Sequence, residues 1–284
     1  MSTVSEKKIH FITGLPRSGS TLMCNILSQN PKFYASSTSA LMPLLLAIRD
    51  RWSNLSQSKA SEDHTLSIRL MRGMMNGFFS NVDNPVCFDK GRGWSRHIEM
   101  TEEVMGHKTK MIVMVRDIRD VLASFETLWR KNVGHRTIPQ ERTEYEKFST
   151  IEGRLSVFMD NKEVVGASYN YIRDAVHRGF NDRLLFVDFD SLTRNPENTM
   201  RQVYEFLGEE YYEHNFNNVE QVVTEKDEYY GFDDLHTIRP KVEPVESRWR
   251  EVLGEKPASL YSGLNFWNNP DIVAKLGLNI IKNK

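Results

Sequence analysis

The residues with the clearest chemical potential lie near the start of the chain, in Gly14-Leu15-Pro16-Arg17-Ser18-Gly19-Ser20-Thr21. An apolar run, Ile9–Thr13, precedes them and a helical pattern follows. A strand, a glycine-bearing loop and a helix N-terminus make an anion site. The loop N–H groups point inward and the helix dipole favours negative charge. The spacing of Gly14, Gly19 and Thr21 follows the phosphate-loop pattern G-x-x-x-x-G-K-[ST] except that Ser20 stands at the lysine position. That lysine serves β- and γ-phosphates in nucleoside triphosphatases, so its absence argues against triphosphate chemistry. The only cation in the loop is Arg17. The strand Met111–Val115 is followed first by Arg116, with Asp117 behind it, rather than by an aspartate placed for Mg²⁺. The expected ligand is an anion held by arginines and hydroxyls without a metal.

A second anion site is expected where Arg116 ends its strand and Ser124 lies eight positions on, two turns into a helix. The planar guanidinium binds phosphate through two parallel hydrogen bonds. A third basic strand end is Lys90, which closes Val86–Asp89 and precedes Gly91-Arg92-Gly93-Trp94.

The loop Gly14–Leu22 resembles the 5′-phosphosulfate loop of sulfotransferases that use 3′-phosphoadenosine 5′-phosphosulfate (PAPS), particularly the tyrosylprotein sulfotransferase branch. The resemblance implies that Pro16, Arg17, Ser18, Ser20 and Thr21 surround the 5′-phosphate and sulfate, with Gly19 allowing close backbone approach. It implies that Arg116 and Ser124 hold the 3′-phosphate, which ATP lacks. Lys90 matches by position a lysine that contacts the bridging oxygen of PAPS. Charge builds on that oxygen as the sulfuryl group leaves, and a fixed cation neutralises it. The segment Asp234–Val242, followed by Trp249, resembles the basic loop that folds over the donor, and makes Arg239 and Lys241 donor contacts. The tyrosylprotein branch carries a glutamate base one strand after the phosphate loop. The matching stretch here, Ser36–Pro43, has no carboxylate, and Thr38 or Ser39 stands at that position. Histidine is the alternative base. His64, His97 and His236 are available, and His236 is the choice because it lies in the basic loop. The expected reaction moves the sulfuryl group of PAPS to the hydroxyl of a small molecule, glycan or peptide and releases PAP.

These residues need a frame that brings strand ends together. Apolar runs at Ile9–Thr13, Val86–Asp89, Met111–Val115 and Leu184–Phe189 read as buried parallel strands. Helical patterns lie between and after them at Thr21–Gln29, Leu41–Trp52, His64–Phe79, Asp120–Arg130, Ile151–Arg178 and Pro196–Leu207. The alternation predicts an α/β, three-layer fold of the phosphate-loop type, with a mostly parallel sheet flanked by helices, over one domain of residues 1–284. Ser53–Ser61 and Thr224–Pro244 read as loops, and Val133–Glu146 as a mobile connection or lid. Asp117, Arg119 and Asp120 are expected to cap their helix or face solvent, and the aspartates of 188–190 to shape a turn.

A formal net charge of −1 argues against a nucleic-acid partner. The longest apolar run, Ala40–Ile48, is too short to span a bilayer. Cys24 and Cys87 sit in apolar segments as buried thiols, and a cytoplasmic location is the default expectation. Two other readings share these features: a metal-dependent small-molecule kinase on the same fold, and a protein that binds a nucleotide without turnover.

Overall fold

The computed structural model describes residues 7–63, 65–135 and 137–281. Its elements run β1 (Lys8–Gly14), α1 (Ser20–Leu27), β2 (Phe33–Thr38), α2 (Leu41–Asn54), α3 (Ser56–Lys59), α4 (Leu66–Phe78), β3 (Val86–Lys90) and α5 (Ile98–Met105). They continue with β4 (Met111–Val115), α6 (Ile118–Asn132), α7 (Pro139–Thr143), α8 (Ile151–Phe158), α9 (Val164–His177), β5 (Leu184–Asp188), α10 (Phe189–Arg194) and α11 (Pro196–Leu207). A long irregular stretch leads to α12 (Trp249–Leu253), α13 (Glu255–Ser259), α14 (Pro270–Leu276) and β6 (Asn279–Ile281).

The strands form one six-stranded sheet in the order β2-β3-β1-β4-β5-β6, and every pairing is parallel. Alternate residues serve opposite faces. Phe11, Met111, Val113, Val115 and Phe186 join one apolar cluster, with Leu45, Met71, Val121, Leu155 and Ile172 from the helices. Ile12, Ile112, Met114 and Val187 join the other, with Met23 and Ile26 of α1 and Val203 of α11. A strand covered on both sides is apolar at most positions, which is why these runs stood out in the sequence.

The chain leaves β1 in one direction to build β2 and β3, then crosses to build β4 on the other side. The carboxyl ends of β1 and β4 therefore flank the point where strand order reverses, the usual ligand crevice of open parallel sheets. β1 runs into the glycine loop, and Arg116 directly follows the end of β4 at Val115.

Several expected boundaries differ. The helix expected over Ile151–Arg178 is two helices, broken at residues 159–163. Asp160 accepts a hydrogen bond from the Lys162 N–H at 2.9 Å, a local turn that competes with helix. Ser53–Ser61 is partly helical, at the end of α2 and in α3, and α7 lies within the expected connection Val133–Glu146. β5 stops at Asp188, whose carboxylate accepts from Asp190 N–H and caps α10, so Phe189 belongs to a helix. Cys24 and Cys87 are buried free thiols, and burial pushes them up to about 12 and about 11. Among the described residues, no helix is long and apolar enough to cross a membrane.

Candidate functional site

The glycine loop is shaped by two positions that a side chain would spoil. Gly14 has φ 127°, and a Cβ there would lie 2.2 Å from the carbonyl oxygen of Met114. Gly19 has φ 87°, and a Cβ there would meet the Phe189 ring at 2.7 Å. Between them Arg17 takes a left-handed conformation, φ 57°, which non-glycine residues adopt at a cost and mostly at functional positions. Ser18 is fully buried, and its hydroxyl donates to Leu15 O at 2.5 Å and Met114 O at 3.1 Å. That side chain pins the loop to β4 and does not face the cavity. Ser20 opens α1, with Thr21 next to it in the first turn.

A cavity of about 610 Å³ opens over these strand ends. Its wall includes Pro16, Arg17, Gly19, Ser20, Thr21, Lys90, Arg116, Ser124, His236, Arg239 and Lys241. Residues expected from motifs up to 225 positions apart thus share one space. Arg17 joins the two anion motifs directly: its Nε donates to Ser124 Oγ at 3.0 Å. Its Nη1 donates to the carbonyl of Leu235. Burial and the neighbouring charge of Arg116 both push the Arg17 guanidinium below its ordinary value.

Arg116 lies over the Phe189 ring, 4.6 Å from its centroid. One terminal nitrogen makes a long 3.5 Å contact with Arg17 O, and its Nε is buried with no partner among the described residues. A buried guanidinium N–H without a partner is costly. A bound anion is one group that can satisfy such a nitrogen, and Arg116 lines the cavity that Ser124 also lines.

Lys90 brings in the lysine that the loop lacks at position 20. Its ammonium donates to Thr21 Oγ1 at 3.3 Å, so a lysine reaches the phosphate loop from the end of β3 rather than from position 20. It also pairs with Glu225 at 2.6 Å, and the two side chains are only 6% and 5% exposed. Glu225 gathers further donors: Thr38 N–H and Thr38 Oγ1, each at 2.9 Å, and Tyr230 Oη at 3.0 Å. Lys90 and these hydrogen bonds outweigh burial and hold the carboxyl at about 2.

His236 stands beside this group. Its Nδ1 lies 2.5 Å from Asp227 Oδ1, and its backbone N–H donates to Asp227 Oδ2 at 2.9 Å. A carboxylate only accepts, so Nδ1 carries the proton and Nε2 presents a lone pair. That Nε2 lies 3.7 Å from Glu225 Oε2. Burial, partly offset by Asp227, pushes the imidazole below its ordinary value.

Other candidates fall elsewhere. His97 ends a short turn, Trp94–His97, away from the cavity wall, and His64 lies outside the described residues. Arg92 lines the cavity, whereas Trp94 is core: it packs on Phe11 and donates to Asp89 at 2.8 Å. Asp117 caps α6 and pairs with Arg119, as expected. Asp120 is a correction, because it is buried rather than solvated. It accepts from Ser247 Oγ at 2.9 Å and Arg248 N–H at 3.1 Å, which ties the C-terminal stretch down. Ser39, the other residue at the expected base position, donates to Asp89 at 2.7 Å.

Sequence reasoning missed Glu225, Asp227 and Phe189. Glu225 and Asp227 sit in the acidic run Glu225-Lys226-Asp227-Glu228, where nothing local separates a buried carboxylate from a solvated one. Phe189 was hidden by its assignment to the end of a strand.

Solved structures with the same fold include the sulfotransferase domain of the olefin synthase from Synechococcus PCC 7002. It is 18% identical, with 93% of this chain and 98% of that chain covered and a TM-score of 0.54. The sulfotransferase domain from the curacin biosynthetic pathway is 16% identical, with coverage of 97% and 99% and a TM-score of 0.51. Mouse sulfotransferase SULT7A1, complexed with PAP, is 14% identical, with coverage of 95% and 88% and a TM-score of 0.55. No curated protein sequence matches the chain. Residues 10–213 match the sulfotransferase family, and with most of its length so matched the chain belongs to that family.

Proposed function

We propose that the cavity binds PAPS between the β1 loop and Arg116, and that the chain transfers its sulfuryl group to an acceptor hydroxyl admitted beside Lys90 and His236. The observation that carries this reading is the single cavity shared by both anion motifs and bridged by the Arg17–Ser124 hydrogen bond. Arg17, Ser20 and Thr21, with the backbone at Pro16 and Gly19, hold the 5′-phosphosulfate. Ser18 serves by fixing the loop. Arg116 and Ser124 hold the 3′-phosphate, and Arg239 and Lys241 add contacts from the exposed side of the cavity.

PAPS, when bound, supplies the sulfuryl group and leaves as PAP. Lys90 neutralises the charge that grows on the departing phosphate oxygen, an electrostatic contribution that commonly dominates such catalysis. His236 Nε2 accepts the proton of the acceptor hydroxyl as its oxygen bonds to sulfur, and Asp227 fixes the tautomer and stabilises the resulting imidazolium. A neutral imidazole is the form this base needs, and burial favours that form.

The arginine-bearing loop supports kinship of the donor site with the tyrosylprotein branch. Thr38 in place of a glutamate at the end of β2 favours an acceptor other than peptidyl tyrosine.

The test is calorimetric titration of the full chain with PAP, ADP and Mg-ATP, beside PAPS consumption with a panel of phenols, alcohols and glycans. The expected result is that PAP binds more tightly than ADP and that PAPS is consumed. Preference for Mg-ATP would replace the reading with a kinase, and PAP binding without turnover on any acceptor would favour a binding protein.

A further inference from the structure

Glu225 comes from an irregular stretch yet accepts four hydrogen bonds, from Thr38, Lys90 and Tyr230, three residues that line the cavity. It lies 187 positions beyond Thr38, and it accepts from both the backbone N–H and the hydroxyl of that residue. The carboxylate missing from β2 in the sequence is therefore present at the end of β2 in space. The same oxygen, Oε1, receives the Lys90 ammonium, and Oε2 receives Tyr230 and faces His236 Nε2.

An ordinary surface ion pair contributes little and leaves both partners wet. This pair is almost fully enclosed, so each charge depends on the other, and removing one partner strands a buried charge. The ammonium has one further contact in the cavity, Thr21 Oγ1. Glu225 thus sets where the Lys90 nitrogen sits. A direct role as base is disfavoured by the donor count. Four hydrogen bonds already occupy the carboxylate, and they make it a weak proton acceptor.

We propose that Glu225 is a positioning residue of the transfer site, holding the Lys90 ammonium against the phosphate loop and closing Tyr230 and His236 onto the same carboxylate. The proposal rests on the reading of Lys90 as the group that meets the leaving oxygen. It gives the chain a two-part transfer site. The cation comes from β3, and the carboxylate that orients it comes from beyond residue 213, where the family match ends.

The experiment compares the full-length parent with Glu225→Gln, Glu225→Asp, Lys90→Ala and the Lys90→Ala/Glu225→Gln double variant. Each is titrated with PAP and with PAPS by calorimetry, and PAPS consumption is followed with 4-nitrophenol as the probe acceptor. An unchanged far-ultraviolet circular dichroism spectrum and a parental urea midpoint report an intact fold, because the leaving oxygen stays on the 5′-phosphate of PAP and PAP binding therefore reads the Lys90 contact itself. Loss of a preorganised electrostatic partner should cost Glu225→Gln on the order of 100-fold in turnover. Glu225→Asp, which keeps the charge, should recover part of it. In the Lys90→Ala background the same Glu225→Gln change should alter turnover by less than about threefold, since residues acting as a unit are not additive. Parental turnover in Glu225→Gln, or an equal further fall in the Lys90→Ala background, would overturn the assignment. Should the parent bind PAP but not use 4-nitrophenol, the binding data decide. Glu225→Gln must then shift the affinity for PAP, whose 5′-phosphate carries the oxygen that Lys90 meets, at least about fivefold, and only when Lys90 is present. An unchanged PAP affinity, or an equal shift in the Lys90→Ala background, overturns the proposal. A parent that binds neither PAP nor PAPS overturns the sulfotransfer reading itself.

Discussion

Replacing Arg116 by alanine should remove affinity for one phosphate and leave the rest of the nucleotide site nearly intact. The guanidinium lines the cavity with its Nε unpartnered among the described residues and one terminal nitrogen 3.5 Å from Arg17 O. Its stacking on Phe189 at 4.6 Å exists before binding. That stacking cancels from the affinity difference and contributes only by keeping the fork in place. What remains is a charged hydrogen-bonded contact, whose loss costs about 1.5–3 kcal/mol. At 1.4 kcal/mol per decade this is roughly 10- to 150-fold in Kd. The assay is calorimetry of parent, Arg116→Ala and Arg116→Lys with PAP and with 5′-AMP, which lacks the 3′-phosphate. PAP should lose the full factor and 5′-AMP less than about threefold, with Arg116→Lys in between because it keeps charge but not the planar fork. Equal losses for PAP and 5′-AMP would refute the placement of the 3′-phosphate. Unchanged PAP binding would refute the site.

Three further outcomes are expected. PAPS turnover should fall on the acid side of neutrality as His236 takes a proton, and because burial lowers its titration the fall should begin below the ordinary histidine range. His236→Gln should be slow at every pH and show no such limb, and retention of the limb would assign it to another group. Asp89 is raised to about 6 by burial, its Oδ2 having no partner among the described residues. The folded state therefore binds a proton that the unfolded chain releases near 4. Stability from this group is present below about 4 and lost as pH rises through about 6, and the loss should be absent from denaturation curves of Asp89→Asn. Glu126 is fully enclosed and receives Arg154 through two bonds of 2.8 and 2.7 Å, with Arg130 at 2.7 Å. Glu126→Ala should cost about 3–5 kcal/mol in urea unfolding by stranding the Arg154 charge, and a loss under about 1 kcal/mol would contradict that account.

The parts of the molecule that were legible in the sequence share a property: one local cause decides them. Gly14 and Gly19 are required by a close approach and a positive φ, and β1, β3, β4 and β5 are apolar because both faces are covered. β2, with the sequence Phe-Tyr-Ala-Ser-Ser-Thr, lies at the sheet edge and shifts register between Ala35 and Thr38, so it lacks that apolar continuity. β6 has three residues, too few for a period. Arg116 and Ser124 could be paired because a strand end and a helix fix their separation. Glu225 could not, since its role depends on Lys90 and Thr38, which reach it only after the chain has folded back.

The stretch between α11 and α12 has little regular structure, yet it is fastened at many points. Asn25 of α1 accepts from Val222 and Val223, Thr38 and Lys90 hold Glu225, Asn132 accepts from Asp233, Arg17 reaches Leu235, and Asp120 receives Arg248. Each anchor belongs to an element that also walls the cavity. Two of them, Arg17 and Lys90, are groups proposed above to engage the donor. On that proposal, donor binding and the order of this stretch are coupled, and amide protection along residues 222–248 should rise when PAP is added.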